Sequence, residues 1–146
     1  MTILDAYAVL ALLKGEPAAT PVQLLIEAGD AALTAVGVAE VLDHLVRVVG
    51  VIEEEAVLDL AQLDLETPTP IDDQLSQTAG LLRARHYHRS RRAVSLADCV
   101  AAAVAGDTGR PLATSDPHLL DLCANEGIPV TVLPDSSGSI WTRDPS

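Results

Sequence analysis

The segment Thr2–Lys14, TILDAYAVLALLK, decides the fold of this chain. Its first four residues, Thr2–Asp5, predict a short apolar strand that ends in an acid. The following residues, Ala6–Lys14, predict a helix that ends before Gly15 and Pro17. A strand that passes directly into a helix is typical of α/β folds, in which strands and helices alternate along the chain.

Two more acids stand at places where an apolar run passes into a predicted helix. Asp98 ends the run Ser95–Asp98, and Asp116 follows the run Pro111–Ser115. In an α/β fold the carboxyl ends of parallel strands gather at one edge of the sheet, where ligands bind. We therefore expect Asp5, Asp98 and Asp116 to lie near one another, although they are far apart in sequence.

The rest of the chain continues the alternation of helices and strands. Further helices are predicted at 18–29, 37–49, 52–61, 72–86, 95–106 and 117–126, and further strands at 31–35, 63–66, 111–114 and 128–133. The residues after 134 are expected to be irregular. This order predicts a mainly parallel sheet with helices on both faces. At 146 residues we expect a single domain over residues 1–146.

Composition restricts the classes of function. The net charge of −12 excludes general electrostatic attraction to nucleic acid or to an anionic membrane. Any nucleic acid must therefore bind through a local basic patch or a bound cation. Cys99 and Cys123 lie among apolar neighbours in predicted helices, which indicates buried thiols in a reducing cytosol. No apolar stretch approaches membrane-spanning length, so we expect a cytoplasmic protein without membrane contact.

Each acid also has a purely structural interpretation. Asp5 could cap the helix that follows it, and Asp98 stands three residues after Ser95, which is the spacing of a capping box. Asp116 precedes Pro117, a common start of a helix. Taken singly, these interpretations are the commoner ones.

A fourth acid, Glu40, lies on the predicted helix 37–49. Its structural interpretation is a solvated helix face that it would share with Asp43, His44 and Arg47. Such faces are common on the surface helices of globular proteins. On spacing alone, Glu40 is the weakest of the four acids as a candidate ligand.

The combination favours a metal site. Asp98 is followed at helical spacing by Ala101, Ala102 and Ala105, a small apolar stripe that should turn this acid toward the interior. A buried carboxylate is costly unless a cation or hydrogen-bond donors compensate it. Mg²⁺ and Mn²⁺ prefer oxygen ligands and can activate water against a phosphodiester. The acids therefore indicate a metal-dependent phosphodiesterase.

Four motifs give the chain a resemblance to a known family over nearly its whole length. They are Ile3–Leu13, Val38–Leu42, Leu82–His86 running on to Ser95–Cys99, and Leu112–Asp116. In these motifs the chain resembles a PIN domain, specifically a VapC-type toxin of bacterial toxin–antitoxin pairs.

The resemblance implies a fold, a site and partners. The fold would be a sheet of about five parallel strands flanked by helices. Asp5, Glu40, Asp98 and Asp116 would be the catalytic residues, chelating Mg²⁺ or Mn²⁺ for the hydrolysis of RNA. The implied partners are a cognate antitoxin that blocks the site and a second copy of the toxin in a homodimer. Many relatives carry a small hydroxyl residue shortly after the first acid, whereas this chain has Ala6 and Tyr7.

Five of the nine basic residues lie between residues 83 and 92. Basic residues at a helix end favour the macrodipole and need no ligand. Alternatively, arginines that continue into the loop before Asp98 could bind phosphate groups as bidentate donors. We predict RNA contacts for Arg85, Arg89, Arg91 and Arg92, with the helix-end interpretation equally open.

The leading hypothesis is a Mg²⁺- or Mn²⁺-dependent endoribonuclease, the toxin of a type II toxin–antitoxin pair. The first alternative is a non-catalytic module whose acidic surface binds a basic partner. The second alternative is a metal-dependent nuclease that acts on DNA. Divalent-ion binding separates the first alternative from the enzymes, and paired RNA and DNA substrates separate the two nucleases.

Overall fold

A computed structural model describes residues 1–143 and shows a four-stranded parallel sheet in the order β2-β1-β3-β4. The last three residues of the predicted domain lie outside the described part. The strands are β1 (Thr2–Leu4), β2 (Ala31–Ala32), β3 (Leu112–Thr114) and β4 (Val130–Val132). Because helices connect successive strands, the chain returns to the same edge of the sheet before each new strand, and the strands run parallel. The strands are apolar because these helices cover the sheet. The predicted mainly parallel α/β fold is confirmed.

Seven α-helices and one π-helical segment accompany the strands in residues 1–143. They are α1 (Ala6–Lys14), α2 (Ala19–Glu27), α3 (Ala35–Asp43), the π-helical segment His44–Val49, α4 (Glu53–Ala61), α5 (Asp73–His86), α6 (Leu96–Thr108) and α7 (Pro117–Glu126). Several bounds follow from local chemistry. For example, Gly15 ends α1 in the left-handed conformation at φ 70°, which glycine adopts without strain.

The strand count differs from the expected five. The predicted strand at 63–66 is absent, and residues 64–69 instead run irregularly beside β2. Glu66 N donates to Ala31 O at 2.9 Å and Thr69 N donates to Leu33 O at 3.2 Å. The flanking prolines at 68 and 70 have no N–H to donate, so a regular ladder cannot form there. This irregular segment lies at the edge of the sheet beside β2, where the predicted strand 63–66 is absent.

The predicted helix 37–49 begins earlier and changes its pitch. Thr34 caps it by accepting a hydrogen bond from Gly37 N at 2.9 Å, so the helix starts at Ala35 and shortens the predicted strand 31–35. From His44 onward the backbone is π-helical, and it ends at Gly50 with φ 89°. A π-helical segment is rare and cannot be read from hydrophobic spacing.

Both faces of the sheet are buried under aliphatic side chains. Ile3 and Leu4 point to opposite faces because side chains alternate along a strand, and each is 1% exposed. Cys99 and Cys123 lie in the layer on the Ile3 face, and both are free and buried, as predicted. Burial raises the pKa of the Cys99 thiol to about 11 and that of Cys123 to about 12.

Within residues 1–143, no single helix has the length and apolar composition needed to cross a membrane. Only α1 and α2 together reach that length and composition, and they are bent by 108° at their junction.

Candidate metal centre

The two central strands place Asp5 and Asp116 at the same edge of the sheet. Asp5 directly follows β1, and Asp116 comes two residues after β3. The strands pair with Leu4 opposite Ala113, and Asp5 N donates to Ala113 O at 3.2 Å. The predicted convergence of these two acids therefore has a simple cause, which is that neighbouring parallel strands end side by side.

A threonine joins these two acids. The Thr114 hydroxyl donates a very short hydrogen bond to Asp5 Oδ2, and Asp116 N donates to Thr114 Oγ1 at 3.1 Å. Thr114 is fully buried. Sequence reasoning assigned no role to this residue, although a hydroxyl at a strand end, two positions before an acid, was a usable signal.

Asp5 is a buried carboxylate, with 5% of its surface exposed. Its Oδ1 caps α1 by accepting from Ala8 N at 2.8 Å, so the structural interpretation is also correct. Burial raises the pKa of Asp5 to about 7, with a smaller rise from the charges of Asp98 and Asp116; the Thr114 hydroxyl and the Ala8 N–H oppose it. Asp5 therefore carries a proton about half of the time at neutral pH, and a nearby cation would favour its ionised form.

Asp98 lies in the first turn of α6 and forms the capping box predicted with Ser95. Its Oδ2 accepts from Ser95 N at 2.9 Å, and Ser95 Oγ accepts from Asp98 N at 3.0 Å. The alanines that follow it at helical spacing are buried, while Asp98 itself is only partly buried. Burial raises the pKa of Asp98, and the charge of Asp116 raises it further.

Glu40 is partly buried on α3, which packs against α6. Burial raises the pKa of Glu40, followed by the charges of Asp98 and Asp43. The other charged members of its helical stripe are occupied, since Arg47 Nη2 pairs with Asp43 Oδ2 at 2.9 Å. Glu40 thus lies within electrostatic range both of Asp98 and of Asp43 on its own helix.

The four acids form a chain of mutual repulsion: Glu40 with Asp98, Asp98 with Asp116, and both aspartates with Asp5. Yet in residues 1–143 no three His, Cys, Asp or Glu side chains already stand as a metal-binding group. The donor chemistry fits a hard divalent cation, because every candidate ligand is a carboxylate.

Oxygens remain free for such a cation. Asp98 Oδ1 and Asp116 Oδ2 accept no hydrogen bond from the described residues, because each aspartate uses only its other oxygen as a helix cap. A cation would have to draw these side chains closer together than they stand here.

The four arginines predicted to contact RNA divide into two pairs. Arg85 lies 3.4 Å from Glu126, and Arg92 makes a very short ion pair with Asp121. Both acids belong to α7, so Arg85 connects α5 to α7, and Arg92 connects the chain after α5 to α7. Neither ion pair was apparent from the sequence, since the partners are 29 or more positions apart.

Arg89 and Arg91 lie on an exposed turn, and no acid of residues 1–143 pairs with them. His88 and Arg92 close this turn with hydrogen bonds of 2.9 Å and 3.0 Å between their backbones. His118 Nδ1 lies 3.1 Å from Arg91 O, and His118 is two residues beyond Asp116. The backbone of the turn thus contacts the first turn of α7, which Asp116 caps.

The fold is similar to those of several solved structures. One is the crystal structure of VapBC2 from Rickettsia felis bound to a DNA fragment from the promoter. The matching chain is 16% identical to this one, with a TM-score of 0.66. The match covers 89% of this chain and 96% of that chain. Another is FitAcB from Neisseria gonorrhoeae, at 18% identity, a TM-score of 0.63 and the same coverage.

A third is FitAB bound to an IR36 DNA fragment, at 19% identity and a TM-score of 0.67, with 90% of this chain and 94% of that chain covered. At these low identities, the TM-scores show similarity of fold alone. No protein of curated function matches the sequence significantly. The family model described as "PIN domain" matches residues 2–125. This range contains all four acids and the turn His88–Arg92, which we call the arginine turn. The chain therefore belongs to the PIN domain family.

Proposed function

We propose that this chain is a Mg²⁺- or Mn²⁺-dependent endoribonuclease that acts as the toxin of a type II toxin–antitoxin pair. Membership of the PIN family supports a nuclease. The observation that carries the metal site is that the paired strands β1 and β3 bring Asp116 and the buried Asp5 to one edge of the sheet, where burial raises the pKa of Asp5. A carboxylate so destabilised in its charged form is suited to a cation, which would restore that form.

The mechanism assigns a task to each group. Asp5, Glu40, Asp98 and Asp116 would hold the ion, which when bound polarises a phosphoryl oxygen and makes water more acidic. Thr114 orients Asp5 through its hydroxyl. One of the four carboxylates would also accept a proton from the attacking water.

RNA is the proposed substrate, and the arginine turn would contact its phosphates. Arg89 and Arg91 are exposed, while the chain as a whole carries a charge of −12. Attraction of a polyanion must therefore be local, and the turn beside Asp116 provides it. Arg85 and Arg92 are engaged with α7 and contribute by holding the turn in place.

A cognate antitoxin is the proposed protein partner. A broad apolar surface includes Ile52, Val57 and Leu58, each more than half exposed. It is flanked by the acids Glu53–Glu55 on the first turn of α4. A segment with apolar and basic side chains would complement this surface. The VapBC and FitAB structures of similar fold support a protein partner for this chain. We also propose that the chain forms a homodimer and is located in the cytoplasm.

Cleavage of paired RNA and DNA oligonucleotides tests the proposal. The purified protein should cleave RNA in Mg²⁺ or Mn²⁺ and stop on addition of EDTA. We expect Asp98→Asn to lower the rate by about 100-fold or more. Asp107→Asn is the matched control, because it removes an exposed acid from the same helix.

The outcomes separate the alternatives. Cleavage of DNA with RNA left intact would replace the proposal with a DNA nuclease. Absence of both cleavage and divalent-ion binding would favour the non-catalytic module. Equal rates for Asp98→Asn and the parent would refute the site assignment.

A further inference from the structure

Three side chains from two helices form an exposed cluster beside the acidic site. The Tyr7 ring meets the His44 ring edge to face, with centroids 6.0 Å apart and planes at 70°. Lys14 Nζ lies 3.0 Å from His44 Nε2. Tyr7 and Lys14 belong to α1, seven residues apart and therefore on the same helical face. His44 comes from the helix that packs against α1.

The cluster is not part of the hydrophobic core. Tyr7 is 58% exposed, and Lys14 is exposed and is the only lysine of the chain. Burial lowers the pKa of His44, and the charges of Lys14 and Arg47 lower it further. A neutral His44 can accept a hydrogen bond from the Lys14 ammonium, which keeps two further N–H donors for a ligand.

Two members of the cluster follow two of the four acids closely along the chain, whereas Lys14 is the last residue of α1, nine residues after Asp5. Tyr7 is two residues after Asp5 in the first turn of α1, and His44 is one helical turn after Glu40. One turn of helix advances by about 5.4 Å. His44 is also the first residue of the π-helical segment, and such segments are frequent at functional sites.

The chemistry of the cluster suits a nucleotide. An exposed aromatic face stacks on a base, whatever the base, and an ammonium group binds a phosphate. The neighbouring Arg47 is engaged with Asp43, so Lys14 supplies the cation at this end of the site. In the sheet order, β2 and the following α3 lie on one side of Asp5, while β3 and Asp116 lie on the other. The arginine turn and the cluster therefore flank the acids.

We propose that Tyr7, His44 and Lys14 form a subsite for the nucleotide next to the scissile phosphodiester of a single-stranded nucleic acid. Tyr7 stacks on the base, Lys14 binds the phosphate, and His44 positions both side chains. The proposal rests on the proposed nuclease function. It adds a second, separate contact to the one made by the arginine turn.

Binding of a fluorescently labelled single-stranded RNA tests the stacking contact. All variants are made in an Asp98→Asn background with Mg²⁺, which prevents cleavage, and circular dichroism confirms their folding. We expect Tyr7→Ala to weaken binding by about 5- to 100-fold, the usual range for loss of one stacked base. Tyr7→Phe should bind like the parent, and Leu24→Ala, which removes an exposed apolar side chain of α2, should change binding less than about twofold.

The salt dependence of binding tests the phosphate contact. Lys14→Ala should reduce the slope of log affinity against log salt by about 0.7, as expected for one lost phosphate contact with a single strand. The matched control is Arg47→Ala, which removes a cation that is already paired with Asp43. Its slope should equal that of the parent.

Abasic substitutions locate the stacked base. Removing one base should weaken binding to the parent but not to Tyr7→Ala, and only at a position next to the cleaved bond. Parental affinity in both Tyr7→Ala and Lys14→Ala would overturn the subsite, as would equal losses in the two controls. Cleavage by the unmodified protein is scored separately: a protein that binds as expected but does not cleave refutes the nuclease proposal, and it leaves Tyr7, His44 and Lys14 as a contact for single-stranded RNA without a cleaved bond beside it.

Discussion

At the scale of single residues, both carboxylate oxygens of Asp5 accept hydrogen bonds from the protein. One of its oxygens caps α1, and the other accepts the hydroxyl of Thr114. The position of Asp5 was predictable because it follows an apolar strand and precedes a helix. Its hydroxyl partner was not predicted, because Thr114 is 109 residues away in sequence and becomes adjacent only through strand pairing.

The buried carboxyl of Asp5 makes a definite contribution to the pH dependence of stability. Its pKa is about 7 in the folded protein, compared with 3.8 for a solvent-exposed aspartate in an unfolded chain. The folded state therefore binds this proton more tightly than the unfolded state does. The resulting stabilisation of the folded state is fully present below pH 3.8 and is lost as the pH rises to about 7. The difference corresponds to roughly 4 kcal/mol, from about 1.4 kcal/mol for each pKa unit.

We predict that Asp5→Asn removes this part of the pH dependence. Urea unfolding in EDTA at pH values from 4 to 8 measures it. The free energy of unfolding of the parent should fall relative to that of the variant between pH 4 and 7, and the difference should be constant above pH 7. A parallel pH dependence in the two proteins would show that Asp5 is not the titrating group.

At the scale of elements, the chain between α5 and α6 separates two interpretations that the sequence left equally open. Arg85 and Arg92 are structural, since they pair with acids of α7. Arg89 and Arg91 are exposed on the turn that Arg92 helps to fix. Four arginines that look alike in sequence thus differ because tertiary partners, which are invisible to local pattern, engage only two of them.

We predict opposite phenotypes for the two kinds of arginine. Arg92→Ala removes hydrogen bonds to Asp121 and His86 and should lower the free energy of unfolding by about 1–3 kcal/mol. Arg89→Ala should change stability by less than about 0.5 kcal/mol but weaken RNA binding and reduce its salt dependence. Thermal unfolding and RNA titrations measure both effects. An unstable Arg89→Ala, or a fully stable Arg92→Ala, would contradict this assignment.

The elements that sequence reasoning did not predict correctly have physical causes. Residues 63–66 alternate like a strand, but the two nearby prolines lack N–H groups, and Asp64 adopts a positive φ of 59°. The π-helical segment leaves the spacing of Val41, Leu45 and Val49 intact, so its pitch has no signature in the hydrophobic pattern. Tertiary packing, not local preference, decides such details.

At the scale of the whole molecule, the parallel order of strands brings distant residues to one edge. The sequence was sufficient to predict an α/β sheet and the convergence of Asp5 and Asp116, because each of these acids follows a strand. Asp98 lies in the first turn of α6, which no strand precedes, and Glu40 lies within α3, so the sheet order alone does not place these two. That the four acids form one site stays a prediction.

The sequence could not show the cluster of Tyr7, His44 and Lys14, which have no shared motif and meet only when α1 packs against α3. That residues 1–146 form one domain stays a prediction.

The central claim is that the acids at the carboxyl edge bind a divalent cation together. Calorimetric titration of the metal-free protein with Mn²⁺ at pH 7 tests it most directly. We predict saturable binding with release of a fraction of a proton, since ionised Asp5 is the form that binds. Asp98→Asn and Asp116→Asn should each weaken binding by about tenfold or more, while Asp107→Asn should bind like the parent. No saturable binding by the parent, or equal affinity in all four proteins, would contradict the account.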